Sequence, residues 1–424
     1  MMSLAMVGSL VVLLFLGVPV AVSIAFAAIV GLLLFTSTPP LIVIQQFFVS
    51  IDSFPLVAIP LFILAGNIME TGGVSRRLLN VAKSMVGHLP GGLAATCVLT
   101  CLIFGAVSGS SVATTFAIGS IIIPAMVSQK YPIGFAAALQ ATSAELAVII
   151  PPSVPMILYG VATGTSIGDL FIAGIGPGFL IAGALLATVV IWSLLRNYKP
   201  DEDRVSFGRA ALDGILALLL PVIIMGGIYG GVFTPTEAAV SAVFYALLLA
   251  GPVYRELGFR QLFGIVRKSA ISTSFIMFTI AAAGLFSYLL NISGGGVALT
   301  NWINSTFTSS WSFLLAVNIA LFFVGMIVET SVAILVLGPL FAPIAVGMGI
   351  DPVHFGLIMI VNLALGMITP PVGVNLFAAC AVARIPLQTL VPYLLPFIAV
   401  VIVCLALITY VPALSVGILH LLRS

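Results

Sequence analysis

Residues 146–156 read Leu-Ala-Val-Ile-Ile-Pro-Pro-Ser-Val-Pro-Met, and residues 365–376 read Leu-Gly-Met-Ile-Thr-Pro-Pro-Val-Gly-Val-Asn-Leu. Each is a proline doublet inside an apolar run. Proline lacks the N–H a helix needs and its ring displaces the carbonyl four residues back, so each run is a helix broken in its middle. Each doublet is preceded, 41 residues upstream, by a polar cluster: Ser110 of Ser108-Gly109-Ser110-Ser111 precedes Pro151, and Glu329 of Glu329-Thr330-Ser331 precedes Pro370. In lipid, such breaks are tolerated only where the freed backbone is buried in protein or lines a cavity. Two pairs at matched spacing in the two halves of one chain point to inverted repeats with ion and substrate sites at the breaks.

Composition agrees with an all-α polytopic membrane protein. Of 424 residues, 62% are apolar and 6% charged, against roughly 25% charged in a soluble domain. The net charge of +2, with no basic patch interleaved with aromatics, excludes a nucleic-acid partner. Cys97, Cys101, Cys380 and Cys404 lie in apolar runs without neighbours at metal-ligand spacing and read as small buried residues. Residues 1–16 lack the basic head of a signal peptide and read as a retained membrane helix. No GxxxxGK[ST] loop is present, so ATP is not the direct energy source.

With about 20 apolar residues per crossing, spans are expected near 3–17, 18–35, 55–70, 133–166, 170–195, 212–231, 235–250, 271–291, 352–385 and 389–416. The stretches 92–128 and 310–347 carry their polar clusters at mid-length and read as re-entrant hairpins. This layout puts Arg76, Arg77, Lys83, Lys130, Arg196, Lys199, Arg204, Arg209, Arg255, Arg260, Arg267, Lys268 and Arg384 on one face and Arg423 alone on the other. By the positive-inside rule the first face is cytoplasmic and both termini are outside. Reading each hairpin as two full spans leaves the charge count unchanged, so re-entrance is not fixed by charge. The repeat covers residues 54–195 and 270–412, with Gly72-Gly73-Val74 matching Gly295-Gly296-Val297 and Pro124 matching Pro343. The basic connection 72–90 is matched by the uncharged 292–309, as opposite orientation requires.

The hairpin hydroxyls Ser108, Ser110, Ser111 and Thr114 can satisfy orphan backbone groups or coordinate a cation; packing by small residues is the plainer alternative. Glu329 is a carboxylate at membrane depth, where it costs about 3 kcal/mol and by default faces an ion path, and no basic residue shares its hairpin. Carbonyls near Ala147, Ile150, Gly366 and Thr369 are freed by the prolines and become hard-oxygen candidates. Helix N-termini near Ser153 and residues 372–375 direct positive dipole ends toward an anion. Thr234-Pro235-Thr236-Glu237, Ser166 to Asp169 and Asp351-Pro352 read as helix caps. Glu145 lies in the first broken span, but its counterpart is Ala364, which leaves it out of the symmetric set. His88, His354 and His420 are expected at loops or interfaces. None forms a hydrolase triad with a nucleophile, so no enzyme is indicated.

Four segments, 227–239 (GIYGGVFTPTEAA), 108–114 (SGSSVAT), 150–156 (IPPSVPM) and 369–376 (TPPVGVNL), resemble the large membrane subunit of the tripartite ATP-independent periplasmic (TRAP) transporters. The resemblance runs along the whole chain. It implies a sodium-coupled importer of an organic acid in the bacterial inner membrane, supplied by a periplasmic binding protein and completed by a separate four-helix small subunit. It implies no cofactor besides the coupling sodium ions. The implied fold is of the elevator type, similar to divalent-anion:sodium symporters. Residues 1–90, 170–309 and 389–424 would be scaffold, arms and closing helix; 91–169 and 310–388 would be the two halves of a mobile transport domain. Carried onto this chain, the resemblance puts sodium at Ser108, Gly109, Ser110, Ser111, Ile150 and Pro152, and at Gly366, Thr369, Pro371, Glu329, Thr330 and Ser331. Substrate would lie near Thr114, Ser153, Asn362 and Asn375, with Arg384 as a further candidate. Two non-equivalent cation sites flanking one pocket are expected. The substrate leaning is toward sialic acid, with C4-dicarboxylates and keto acids as alternatives; proton coupling through Glu329 or Glu145, and a channel, are the rival mechanisms.

Overall fold

The computed structural model describes residues 1–198 and 206–423, so Lys199 and Arg204 of the charge map lie outside the described residues, as does the Arg423 side chain. Among the described residues there is no strand. The helices of the first half are α1 (Met2–Phe15), α2 (Val20–Phe35), α3 (Leu41–Ile51), α4 (Ala58–Thr71), α5 (Val74–Val86), α6 (Gly92–Ser108), α7 (Ser111–Ser128), α8 (Ile133–Ala144), α9 (Leu146–Ile149), α10 (Val154–Thr163) and α11 (Ile167–Leu195). Those of the second half are α12 (Phe207–Tyr229), α13 (Pro235–Leu248), α14 (Phe259–Ile292), α15 (Gly295–Thr306), α16 (Ser310–Gly325), α17 (Thr330–Gly347), α18 (Pro352–Met367), α19 (Val374–Ala383), α20 (Leu387–Tyr410) and α21 (Ala413–Arg423). Among the described residues, eight helices are long and apolar enough to cross a membrane; α8–α9 and α10, bent by 42° across the Pro-Pro break, count as a ninth if taken as one span.

Some pieces of the expected repeat have equal lengths, α7 and α17 with 18 residues each and α10 and α19 with 10 each, whereas α4 has 14 residues and α14 has 34. Both proline doublets contain a cis peptide bond. The three expected caps are present. Thr234 and Glu237 form a reciprocal capping box, the Ser166 hydroxyl accepts from the Asp169 amide, and Asp351 accepts from the Val353 and His354 amides.

Burial separates a centre from a periphery. Residues 134–144 of α8 and 353–367 of α18 are all buried, as expected of helices that are apolar on every side. By contrast, 22% of the most apolar window of α12 is buried, so most of that helix faces outward. A second, smaller cluster joins α1 and α2 to α14 through Met6, Ile24, Leu32, Phe286 and Leu289. On α5 the residues Val74, Leu78, Val81 and Ala82 are buried at helical spacing while Arg76 is exposed. Arg77 of the same helix bonds Glu256 at 2.8 Å and stacks 3.7 Å above the Tyr254 ring, tying α5 to the turn before α14.

Several expectations change. The closing span drawn over 389–416 is two helices, because α20 ends at Tyr410 and Pro412 cannot continue it. Residues 41–51 form α3, an 11-residue apolar helix interrupted by Gln45 and Gln46 that is too short to give a crossing signal. The span at 271–291 is the second part of a 34-residue helix, α14. His354 is not at an interface: the Asp351-Pro352 cap places it in the first turn of the buried α18. There it is 3% exposed and bonded to the Ser415 hydroxyl at 2.6 Å and the Thr409 carbonyl at 3.2 Å.

Candidate functional site

Each helix-pair turn packs onto the break in its own half. The first turn is built on Gly109, whose φ of +61° is the left-handed region that glycine alone enters without steric cost. A β-carbon there would lie 2.9 Å from the Pro152 carbonyl oxygen. One turn back, a β-carbon on Gly105 would lie 2.7 Å from the Ala147 Cα. The second half repeats this closeness: Gly366 would meet the Gly325 backbone at 2.4 Å, and the Gly373 amide donates to the Met326 carbonyl at 3.1 Å.

The two halves are also interlocked crosswise. The helix after the second break, α19, lies against α7 of the first half, and the helix after the first break, α10, lies against α17 of the second. Thr115 on α7 donates to the Asn375 Oδ1 at 2.7 Å, while the Asn375 amide donates to the Ala141 carbonyl at 2.8 Å. Because a carbonyl only accepts, this second bond fixes which end of the Asn375 amide is nitrogen. On the other side, Tyr159 of α10 donates to the Pro352 carbonyl at 2.9 Å, and its ring fills the space left by Gly356.

The expected cation residues fall at these junctions. Ser110 is the N-cap of α7, accepting from the Ala113 amide, and its carbonyl accepts from Thr114 Oγ1 at 2.8 Å. Ser108 and Ser111 are buried beside it, and Ile150 and Pro152 are buried at the break. Glu329 is the N-cap of α17: its carboxylate accepts from the Ser331 amide at 3.0 Å, the Ser331 hydroxyl at 2.8 Å and the Val332 amide at 3.4 Å. Its charge is thus met by three donors and the N-terminal end of the helix dipole. Thr330 donates to the Met367 sulfur at 3.0 Å, which joins this turn to the end of α18. Thr369 Oγ1 donates to the Leu365 carbonyl at 2.8 Å and the Thr369 amide to the Gly366 carbonyl at 2.9 Å, so the Gly366 carbonyl already has a partner; Pro371 is exposed.

The expected substrate residues are less tightly grouped. Asn375 is at the start of α19, and Thr114 and Ser153 are buried, Ser153 donating to the Val148 carbonyl at 2.6 Å. Asn362 is turned to α16, donating to the Asn318 carbonyl at 2.9 Å and to its Oδ1 at 2.6 Å. Arg384 is exposed at the far end of α19, about 13 Å along the helix axis from Asn375 at the usual rise per residue. The structure does not bring it to the others.

Three residues outside the expected set belong to this centre. Thr115 holds Asn375, and Gln140, fully buried, donates to the Thr114 carbonyl at 3.3 Å. The third is Glu145, 5% exposed, at the joint between α8 and α9. Neither of its carboxylate oxygens has a hydrogen-bond partner among the described residues. Asn375 reaches the same stretch of helix, donating to the carbonyl of Ala141, one turn before Glu145. A carboxylate inside a membrane segment is a signal in itself; the symmetry comparison with Ala364 had removed it. The free cysteines are all buried, as expected.

Residues 7–414 match the family described as tripartite ATP-independent periplasmic transporter, DctM component. The C4-dicarboxylate TRAP transporter large permease protein DctM of Rhodobacter capsulatus is 39% identical over 440 residues, with 100% of both chains covered. The isethionate TRAP transporter permease protein DctMQ of Oleidesulfovibrio alaskensis is 42% identical over 410 residues; the match covers 96% of this chain and 65% of that longer relative. The solved YdaH transporter of Alcanivorax borkumensis shares the fold, with a TM-score of 0.65 over 98% of each chain at 17% identity.

Proposed function

As a member of the TRAP transporter family, DctM component, this chain is a large permease subunit, and we propose that it imports an organic acid with sodium by an elevator movement. The observation that carries this reading is the crosswise interlock: α19 lies against α7 and α10 against α17, with Thr115 bonded to Asn375 and Tyr159 bonded to the Pro352 carbonyl at the start of the other broken helix. Segments 91–169 and 310–388 thereby act as one transport domain, with 1–90, 170–309 and 389–424 as its frame. The two turns are re-entrant and enter from opposite faces, and the halves are inverted repeats.

Sodium binds at the two turn–break junctions, Ser108 to Ser111 with Ile150 and Pro152, and Glu329 to Ser331 with Gly366, Thr369 and Pro371. The acid binds between them at Asn375, Thr114 and Ser153, where the first turn of α19 offers N–H groups. Each sodium ion entering down about 100 mV contributes roughly 2.3 kcal/mol, so two offset the inward movement of an anion and leave a driving force. A four-helix small subunit and a periplasmic binding protein complete the system in the bacterial inner membrane. The test is uptake of succinate, isethionate and N-acetylneuraminate into proteoliposomes holding the full transporter and its binding protein. Uptake of one of these is expected only with an inward sodium gradient. Equal uptake with potassium or choline in place of sodium overturns the coupling.

A further inference from the structure

Glu145 and Glu329 are the two carboxylates of the central region, and their surroundings differ in kind. Glu329 is capped by three donors. Glu145 is nineteen-twentieths buried with both oxygens unpartnered. A buried carboxylate in a membrane protein calls for a cationic counterpart. Among the described residues no basic side chain forms an ion pair with Glu145.

What faces Glu145 narrows the counterpart. Asn375 directs its amide nitrogen into the centre, with one N–H spent on the Ala141 carbonyl and the second free. At the N-terminus of α19 there is no side-chain cap, and while the Gly373 and Leu376 amides are already bonded, to the Met326 and Gly373 carbonyls, those of Val374 and Asn375 are left to meet an anion. Ser111 stands at the first position of α7. Donors for an acid group thus lie beside one carboxylate without a partner. A sodium ion prefers an all-oxygen shell, and the N–H groups here are the wrong chemistry for it. A dianion would be opposed by Glu145. A molecule carrying both an acid group and a protonated amine satisfies both sets.

We propose that Glu145 binds the ammonium group of a zwitterionic amino acid or aminosulfonate, whose acid group is held by Asn375 and the N-terminus of α19. The proposal deepens the organic-acid reading above and rests on it. The probes are pairs that differ only in amine against hydroxyl: taurine and isethionate, β-alanine and 3-hydroxypropionate, aspartate and malate. Each is titrated onto the purified complex of this permease with its small subunit, in sodium and in potassium, with thermal unfolding as the readout. The expected result is that, in at least one pair and in sodium, the amino member stabilises at a tenfold or more lower concentration than its hydroxy partner. The near-isosteric Glu145→Gln is expected to bring the two members level. A hydroxy member that binds as well as or better than its amino partner in every pair, or no response to any amino member, overturns the proposal. So does an amine preference that survives in E145Q, or an E145Q that loses the response to sodium while keeping the preference, which makes Glu145 a ligand of the coupling ion. Loss of any difference between sodium and potassium in the unsubstituted protein instead counts against sodium coupling, and the amine comparison then reads out separately.

Discussion

Gly109 leaves so little room above Pro152 that a β-carbon on it would stand 2.9 Å from the Pro152 carbonyl oxygen. That oxygen belongs to backbone and cannot swing away. The residue also holds a φ of +61°. Gly109→Ala is therefore expected to destabilise the junction by about 1–3 kcal/mol, from the left-handed backbone and the close contact together. Sodium-driven uptake is the measurement, and a fall of about tenfold or more at unchanged membrane expression is expected. Uptake at the original level would show that the turn and the break are not held together in the working protein.

Gly366→Ala tests the equivalent contact in the second half. Its β-carbon would meet the Gly325 backbone at 2.4 Å, whereas one on Gly226 would meet nothing within 4 Å. Forcing α16 from α18 costs about 1–3 kcal/mol as an overpacking defect. G366A is expected to lower the melting temperature of the purified protein, while G226A changes its stability by no more than about 0.5 kcal/mol.

Thr115→Val removes one buried bond to Asn375 and keeps the shape of the side chain. The loss is expected at about 1–3 kcal/mol, because the Asn375 oxygen is left without its donor. Substrate KM should rise with sodium dependence retained, and Thr115→Ser should restore it. Equal KM values in T115V and the unsubstituted protein would remove Asn375 from the substrate site or Thr115 from the task of holding it.

Opposite orientation of the two halves has a direct chemical test. The four native cysteines are buried, so single new cysteines at Arg76 on α5 and at Val297 on α15, both exposed, report their own side. A membrane-impermeant maleimide applied outside is expected to label V297C in intact cells and R76C only after lysis. Labelling of both from one side would end the inverted-repeat reading.

The ion pair of Arg77 with Glu256 is expected to matter little for stability. Both side chains are partly exposed, 25% and 35%, and such pairs are worth about 0–1 kcal/mol and weaken in salt. Glu256→Gln should shift thermal unfolding slightly, with the shift smaller at 0.5 M salt than at 0.05 M.

The parts of this fold that were legible in the sequence are those set by local chemistry. Pro151-Pro152, Pro370-Pro371 and the capping residues at 166, 234 and 351 act on the backbone within a turn of themselves, and the helices begin and end where they dictate. Long-range contacts carried no such mark. Thr115 and Asn375 are 260 residues apart, Tyr159 and Pro352 are 193 apart, and nothing local in either residue names its partner. His354 was misplaced because histidine is polar on average, while its two ring nitrogens here are both satisfied inside the protein. Glu145 was read as a rival proton-coupling group but kept out of the site set by a symmetry argument, which finds what two halves share and is blind to what one half adds.

The bond between Thr115 and Asn375 also bears on how the protein is made. A ribosome adding about 5–20 residues per second needs roughly 13–50 s to travel the 260 residues between them. Through that interval α7 has its neighbours α6 and α8 to pack on, while its partner α19 has not been synthesised. The first half therefore waits unfinished while 260 of the 424 residues are added. A nascent chain that stalls before residue 375 leaves the Thr115 hydroxyl without its Asn375 partner, whereas Gln140 already has its partners Cys97, Cys101 and Thr114 in the first half.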